Sequence, residues 1–311
     1  MYDIFSFKTI AERKEKDMDR AISEWFSKIN RQKMVVHFDF DGTLAEWKDL
    51  LPRVRETLLS SGSSLSDIED VIDSPEKMKE EVYKILHTSN YYYELEPYEN
   101  VTGFAKLLND EGYAPRVLSC VISEEAKEDK TFWLEDFCPT VFGGMRLHDG
   151  DIAKDDRVYV GKRRIFVPDE DRDRKFSYIP DIKKEGLIHV LIDDHSPNLF
   201  AFEKACRENG VRGCGIKMLN GVNGKGKTWQ GYFLDKDMSP SEMMDIFKDI
   251  ELYLKAKTYV DEYPGDREAL LSVMEEEAVS PDRKKLTFFL ENDRDLIRED
   301  TDLEEDEEGE R

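Results

Sequence analysis

The spacing of hydrophobic positions along the chain changes several times, and each change marks an element. Met18, Ile22, Trp25, Phe26 and Ile29 recur at helical spacing and predict an amphipathic helix over residues 5 to 30. The run "KMVVHFDF" (33–40) is then apolar without alternation and stops at "DGT", which fits a short strand buried on both faces. Helical spacing returns with Leu50, Leu51, Val54 and Leu58 on one face. After the break "SSGSS", Leu65, Ile68, Val71 and Ile72 form a second face. Ser74 as N-cap and Pro75 at the first helical position open a third helix, "PEKMKEEVYKIL". The stretch "YYYELEPYENV" (91–101) reads as an extended aromatic link. It leads into a helix that turns Val101, Phe104, Leu107 and Leu108 inward and ends at Gly112.

Further along, "APRVLSCVI", "GLIHVLIDD" and "GCGIKML" read as strands, with helices at about 123–136 and 197–208 between them. "RVYVG" and "RRIFVP" fit a hairpin or an extension of the sheet. Strands alternating with helices predict an α/β fold, a Rossmann-like parallel sheet, with a small helical cap inserted at about residues 46–98. The expected layout is an N-terminal helix over 1–30, a core over 31–235, a helical extension over 236–290 and a tail over 291–311. The final "EDTDLEEDEEGER" is a like-charge run and is expected to be disordered.

Composition narrows the classes open to such a fold. Of the 311 residues, 39% are hydrophobic and 37% charged, which predicts a globular chain with a heavily solvated surface. The formal net charge of −23 disfavours any extended surface for tracking a phosphate backbone, while leaving room for a local site that takes a small phosphorylated ligand. No apolar run approaches membrane-spanning length and the N-terminus lacks a signal-peptide layout, so the expectation is a cytoplasmic protein. Cys120, Cys138, Cys206 and Cys214 form no CxxC pair, which suggests neither a disulfide framework nor a zinc site.

The candidate chemistry lies where predicted strands end. Asp39 and Asp41, then Ser119, then Asp193 and Asp194 close three apolar runs. In an open parallel sheet, ligands bind outside those carboxyl ends. Four carboxylates gathered there repel one another unless a divalent cation sits among them. Mg²⁺ is the natural candidate, because it takes hard oxygen ligands and leaves positions for water and phosphate.

Those residues also carry a resemblance. "DFDGTL" resembles the first motif of the haloacid dehalogenase superfamily in its phosphatase form, Ser119 at the end of "RVLS" matches the hydroxyl motif, and "LIDDHSPN" is similar to the acidic fourth motif. The resemblance covers roughly residues 33 to 220. It implies that Asp39 attacks phosphorus to form an aspartyl-phosphate, and that Asp41 protonates the leaving oxygen and then deprotonates the hydrolytic water. It further implies that Asp39, the backbone carbonyl of Asp41 and Asp193 hold Mg²⁺ with Asp194 in support, and that Ser119 bonds a phosphate oxygen. The lysine of the third motif is either Lys130 in "KTFWL" or Lys175 in "RKFSYIP", and the expectation is that the other is an ordinary solvated lysine. A narrower similarity, carried by "DFDGTLAEW", "YYYELEPYENV", "KTFWL" and "LIDD", links the chain to the 5'(3')-deoxyribonucleotidases. It favours Lys130, implies a nucleoside monophosphate as substrate, and makes Trp47 the aromatic that stacks on the base. Thr43 stands where that group often has valine and adjoins the same substrate position.

Gly221 to Thr228, "GVNGKGKT", satisfies the Walker A pattern and keeps a P-loop kinase using Lys227 open as an alternative. Such a loop should open directly into a helix. "WQGYFLDKDMSP" is a poor helix start, so the expectation here is a glycine-rich surface loop.

Overall fold

The computed structural model describes residues 33–46, 49–88, 90–143, 151–152, 157–184, 186–223, 229 and 231–262. The expected N-terminal helix, Trp47, residues 224–228 of the glycine-rich loop and the acidic tail lie outside the described residues. One compact unit consists of Val35–Glu185 and His189–Met244 and contains every candidate site residue treated below. Residues 33–34, 186–188 and 245–262 belong to a second unit.

Among the described residues, eight strands form one sheet in the order β3-β4-β5-β2-β1-β6-β7-β8. They are β1 (Lys33–Phe38), β2 (Arg116–Val121), β3 (Asp151–Ile152), β4 (Tyr159–Val160), β5 (Arg164–Pro168), β6 (Leu187–Asp193), β7 (Arg212–Leu219) and β8 (Tyr232–Asp235). β1 pairs parallel to β2, β2 to β5, and β7 to β8. The β3–β4 and β4–β5 pairs are antiparallel, so the two stretches of uncertain form make a hairpin that extends the sheet. Five of six residues in β1 and six of seven in β6 are buried, which is why these strands read as unbroken apolar runs. The strand order runs one way from β1 through β2 and β5, and the other way through β6 and β7. That reversal places a crevice at the carboxyl ends of β1 and β6.

Three helices lie between β1 and β2 ahead of α4 (Glu99–Asp110): α1 (Leu51–Ser60), α2 (Leu65–Ile72) and α3 (Pro75–Leu86). Ser64 and Asp67 cap α2 reciprocally, and the Ser74 hydroxyl accepts from the Lys77 amide at the start of α3. Val54, Ile68 and Ile85 are the buried positions of the three helices, whereas Leu65 is exposed. The link at residues 90–94 is turned rather than extended backbone, with the Glu94 amide bound to the Asn90 carbonyl at 3.0 Å. Asn90 takes φ 71°, and the Asp129 carboxylate accepts the amides of Asn90, Tyr92 and Tyr93. That carboxylate belongs to α5 (Glu124–Phe137), so the turn is held by a helix remote in sequence.

A ten-residue 3₁₀ segment, Asp169–Tyr178, follows β5. Phe176 packs edge-on against Phe202 of α6 (Ser196–Glu208), with centroids 5.3 Å apart, inside a cluster that includes Leu118, Ile165, Leu191 and Trp229. Helix α7 spans Pro240–Glu262.

His37 of β1 and His189 of β6 stack inside this core, with His37 Nε2 and His189 Nδ1 3.3 Å apart. Burial lowers the pKa of both, and for His37 the neighbouring His189 and Arg116 lower it further while Asp181 opposes them. An unfolded chain takes up protons on these rings near the ordinary value of 6.5, and the folded chain resists. The unfolded state therefore binds more protons below that pH, and stability falls as pH drops through it. Between about pH 7 and about pH 5 the urea midpoint of the wild type should fall relative to that of a His37→Leu/His189→Leu protein. The raised carboxylates of Asp39, Asp41 and Asp194 act on both proteins alike, so a constant difference between the two profiles would remove the pair as a cause.

Candidate active site

β1 delivers Asp39 to the crevice. Its amide donates to the Ile192 carbonyl of β6 at 2.9 Å, so the first acidic residue is locked to the strand that carries the last two. The chain then turns sharply: the Phe40 carbonyl accepts from the amides of Thr43, Leu44 and Ala45. Gly42 adopts φ 71°, and a Cβ there would lie 2.4 Å from Asp194 Oδ2. Conformation and space both require glycine at this position.

Asp39, Asp193 and Asp194 each bring a carboxylate oxygen within 4.8 Å of the others, a set that could hold a metal ion. Burial raises the pKa of Asp39, and Lys175 opposes it. Burial raises Asp194 well above the carboxylate range, with Asp193, Asp39 and Asp41 adding to the shift. Three carboxylates gathered this closely, with Asp39 and Asp194 resisting ionisation, form a donor set suited to a hard divalent cation. Asp194 therefore stands among the possible ligands and not behind them. The Asp41 carboxylate does not join this cluster; its Oδ2 is bound by Lys130, and its Oδ1 is buried with no hydrogen-bond partner. Burial raises the Asp41 pKa, with Lys130 opposing.

Both lysines that the sequence left as alternatives belong to the site, and neither is solvated. Lys175 Nζ donates to Asp39 Oδ1 at 3.2 Å and to Asp193 Oδ2 at 3.1 Å. Burial opposes its charge, but Asp193 and Asp39 more than offset this and its pKa is raised. Lys130, fully buried on α5, donates to Asp41 Oδ2 at 2.5 Å, Ser119 Oγ at 3.1 Å and the Cys120 carbonyl at 2.9 Å. Ser119 is fully enclosed; its hydroxyl accepts from Lys130 and donates onward to the Cys120 carbonyl at 3.3 Å. Thr43 is also fully buried, and its hydroxyl oxygen has no hydrogen-bond partner. His195 is the N-cap residue of α6, and Trp47 lies outside the described residues.

Four further side chains hold the site together. Asn198, on the first turn of α6, donates to both oxygens of Asp193, and the His195 amide adds a third bond at 2.9 Å. Asn220, at the end of β7, donates to Asp194 Oδ2 and to the Gly42 carbonyl, each at 3.0 Å. Asn223 donates to the Asp194 carbonyl at 2.7 Å, and its amide is bound in turn by Asn220 Oδ1. The start of the glycine-rich loop is thus a clasp on the acidic site. It is followed by β8, parallel to β7, and not by the helix a P-loop requires. Arg172 is the fourth. It precedes Lys175 by one 3₁₀ turn and so shares its face. Its charge acts on Asp41 and Asp39, while Nε and Nη2 bond Asp169. Polar residues just past an apolar strand end were the available signal for Asn220; nothing local distinguished Arg172 from its charged neighbours.

No protein-family model matches the chain, and no curated protein matches it. Among solved structures, a haloacid dehalogenase-like hydrolase from Burkholderia xenovorans resembles it at 12% identity with a TM-score of 0.43. That alignment covers 69% of this chain and 96% of the other. Among the described residues, no helix is long and apolar enough to cross a membrane.

Proposed function

We propose that this chain is a Mg²⁺-dependent phosphomonoester hydrolase of the haloacid dehalogenase type. The observation that carries the proposal is the meeting of Asp39, Asp193 and Asp194 around the buried Lys175 at the carboxyl ends of β1 and β6. Asp39 attacks phosphorus in line, the phosphorus–oxygen bond to the leaving group breaks, and an aspartyl-phosphate results. Asp41 gives its proton to the leaving oxygen through the unengaged Oδ1, then takes one from the water that cleaves the aspartyl-phosphate. Lys175 spends two of its three N–H groups on Asp39 and Asp193 and turns the third to the phosphoryl group. Asp39, Asp193 and Asp194 would hold Mg²⁺, which when bound offsets the charge of the phosphoryl oxygens. The test is phosphate release from a panel of phosphomonoesters with and without Mg²⁺; a purified, folded protein inactive on every member would sink the proposal.

The substrate class we favour is a nucleoside monophosphate, with Trp47 as the base-stacking residue. The neck of the helical insertion is formed by residues 45 and 46: the Glu46 amide binds the Glu96 carbonyl at 2.8 Å, and Ala45 bridges Pro97. Position 47 therefore follows directly on the neck of the insertion. Stacking contributes about 1–3 kcal/mol per base, so Trp47→Ala should lower kcat/KM on a nucleoside monophosphate by roughly five- to a hundredfold. Efficiency on 4-nitrophenyl phosphate should barely change. Equal losses on both substrates would assign Trp47 to packing and leave a phosphatase for another small phosphorylated metabolite as the reading.

A further inference from the structure

The geometry points to Lys130 as a positioning residue for the proton-transfer group Asp41, with no donor left for the substrate. This inference rests on the phosphatase reading and concerns the division of labour between the two buried lysines. An ammonium group has three N–H donors, and all three of Lys130 are engaged: one by Asp41 Oδ2, one by Ser119 Oγ and one by the Cys120 carbonyl. The remaining sides of the cation are closed by aromatic faces, Tyr92 with its centroid 4.4 Å from Nζ and Phe40 at 5.0 Å. Such a cation has neither a free proton nor an open approach for a phosphate oxygen. Lys175, by contrast, makes two hydrogen bonds among the described residues.

What Lys130 does hold is one oxygen of Asp41, and this leaves the carboxylate a single free atom. With Oδ2 fixed, the carboxyl plane is fixed, and the buried, unpartnered Oδ1 becomes the atom that meets the leaving oxygen. The support for Lys130 is itself rigid. Helix α5 carries Asp129 beside Lys130 and Trp133 one turn on; Asp129 accepts the amides of the turn that presents Tyr92, and Trp133 Nε1 donates to the Leu95 carbonyl at 2.7 Å. Tyr93 adds a bond from its hydroxyl to Asp136 at 2.6 Å. The segment that returns from the helical insertion is thus tied to the helix that orients Asp41, and its tyrosine is the lid over Lys130.

The two roles open to Lys130 predict different kinetics. A lysine that grips phosphate serves every substrate alike. One that orients Asp41 matters in the first step only where the leaving group needs a proton: an alkoxide does, and 4-nitrophenolate, a stable anion, scarcely does. The later attack of water on the aspartyl-phosphate is common to both substrates, so the comparison is made on kcat/KM, which reports the steps up to the aspartyl-phosphate. Lys130→Met should therefore lower kcat/KM on a nucleoside 5'-monophosphate by about a thousandfold and on 4-nitrophenyl phosphate by about tenfold. Asp41→Asn should show the same dependence on leaving group. The double variant should be no slower than Asp41→Asn alone, because the lysine acts through the carboxyl. If Lys130→Met does not fold, Lys130→Arg keeps the charge but cannot reproduce a three-way tripod, and it should show the same split between substrates. Equal losses of kcat/KM on the two substrates would overturn the assignment of Lys130 and leave the phosphatase reading standing. A wild-type protein that hydrolyses neither substrate would overturn both.

Discussion

Replacing Asp39 by asparagine is expected to reduce turnover at least about a thousandfold, on every substrate and without loss of the fold. The amide is a poor nucleophile, and it removes one oxygen anion from the set formed with Asp193 and Asp194. Stability without metal should not fall, and the reason is electrostatic. Burial already raises the Asp39 pKa, with Asp193 adding to the shift, so the ionised side chain sits unfavourably beside its neighbours. Lys175 loses a full charge as partner but keeps Asp193 at 3.1 Å. Added Mg²⁺ should raise the unfolding temperature of the wild type more than that of the variant, because binding to the native state alone stabilises it by mass action. Two measurements are needed, phosphate release and thermal unfolding with and without Mg²⁺. A folded Asp39→Asn protein with the wild-type rate would exclude the aspartyl-phosphate route.

Lys175→Met should damage both stability and rate. The ammonium is about 1% exposed and lies between Asp39 and Asp193, so its removal leaves buried carboxylates without their cation. Breaking a buried pair from one side costs about 3–5 kcal/mol, which should appear as a lower urea midpoint in EDTA. Mg²⁺ should restore part of that loss by supplying positive charge to the same oxygens. The rate should stay about a hundred- to a thousandfold down even with Mg²⁺, the usual effect of removing one preorganised donor from a reacting oxyanion. Unlike the Lys130 variant, this one should lose equally on alkyl and nitrophenyl substrates. A folded Lys175→Met protein with near-native kcat/KM on both would show that the lysine serves the fold alone.

How far the site could be read from the sequence depended on how local its causes are. Asp39, Asp41, Asp193 and Asp194 could be found because each terminates an apolar run, and a strand buried on both faces shows as such a run. Ser74 and Pro75 marked the start of α3 for an equally local reason, since a cap satisfies amides within its own first turn. The turn at 90–94 was not legible. Its triple tyrosine suggests extended backbone, and it bends because the Asp129 carboxylate gathers three of its amides from a helix over thirty residues away in the chain.

The sequence by itself determined an α/β chain with alternating strands and helices, four acidic residues at strand ends, and two lysines as alternatives for one role. Those follow from the period of apolar residues and from the cost of placing charge at a buried strand end, which act over a few residues. Tertiary structure alone decided that both lysines enter the site. Lys175 reaches Asp39 across 136 positions of sequence and Lys130 reaches Asp41 across 89, and the number of donors each has left depends on every neighbour it meets there. It also turned Ser119 toward Lys130 and made Asn220 a clasp on Asp194, because which polar groups are paired is settled only when strands distant in the chain lie side by side.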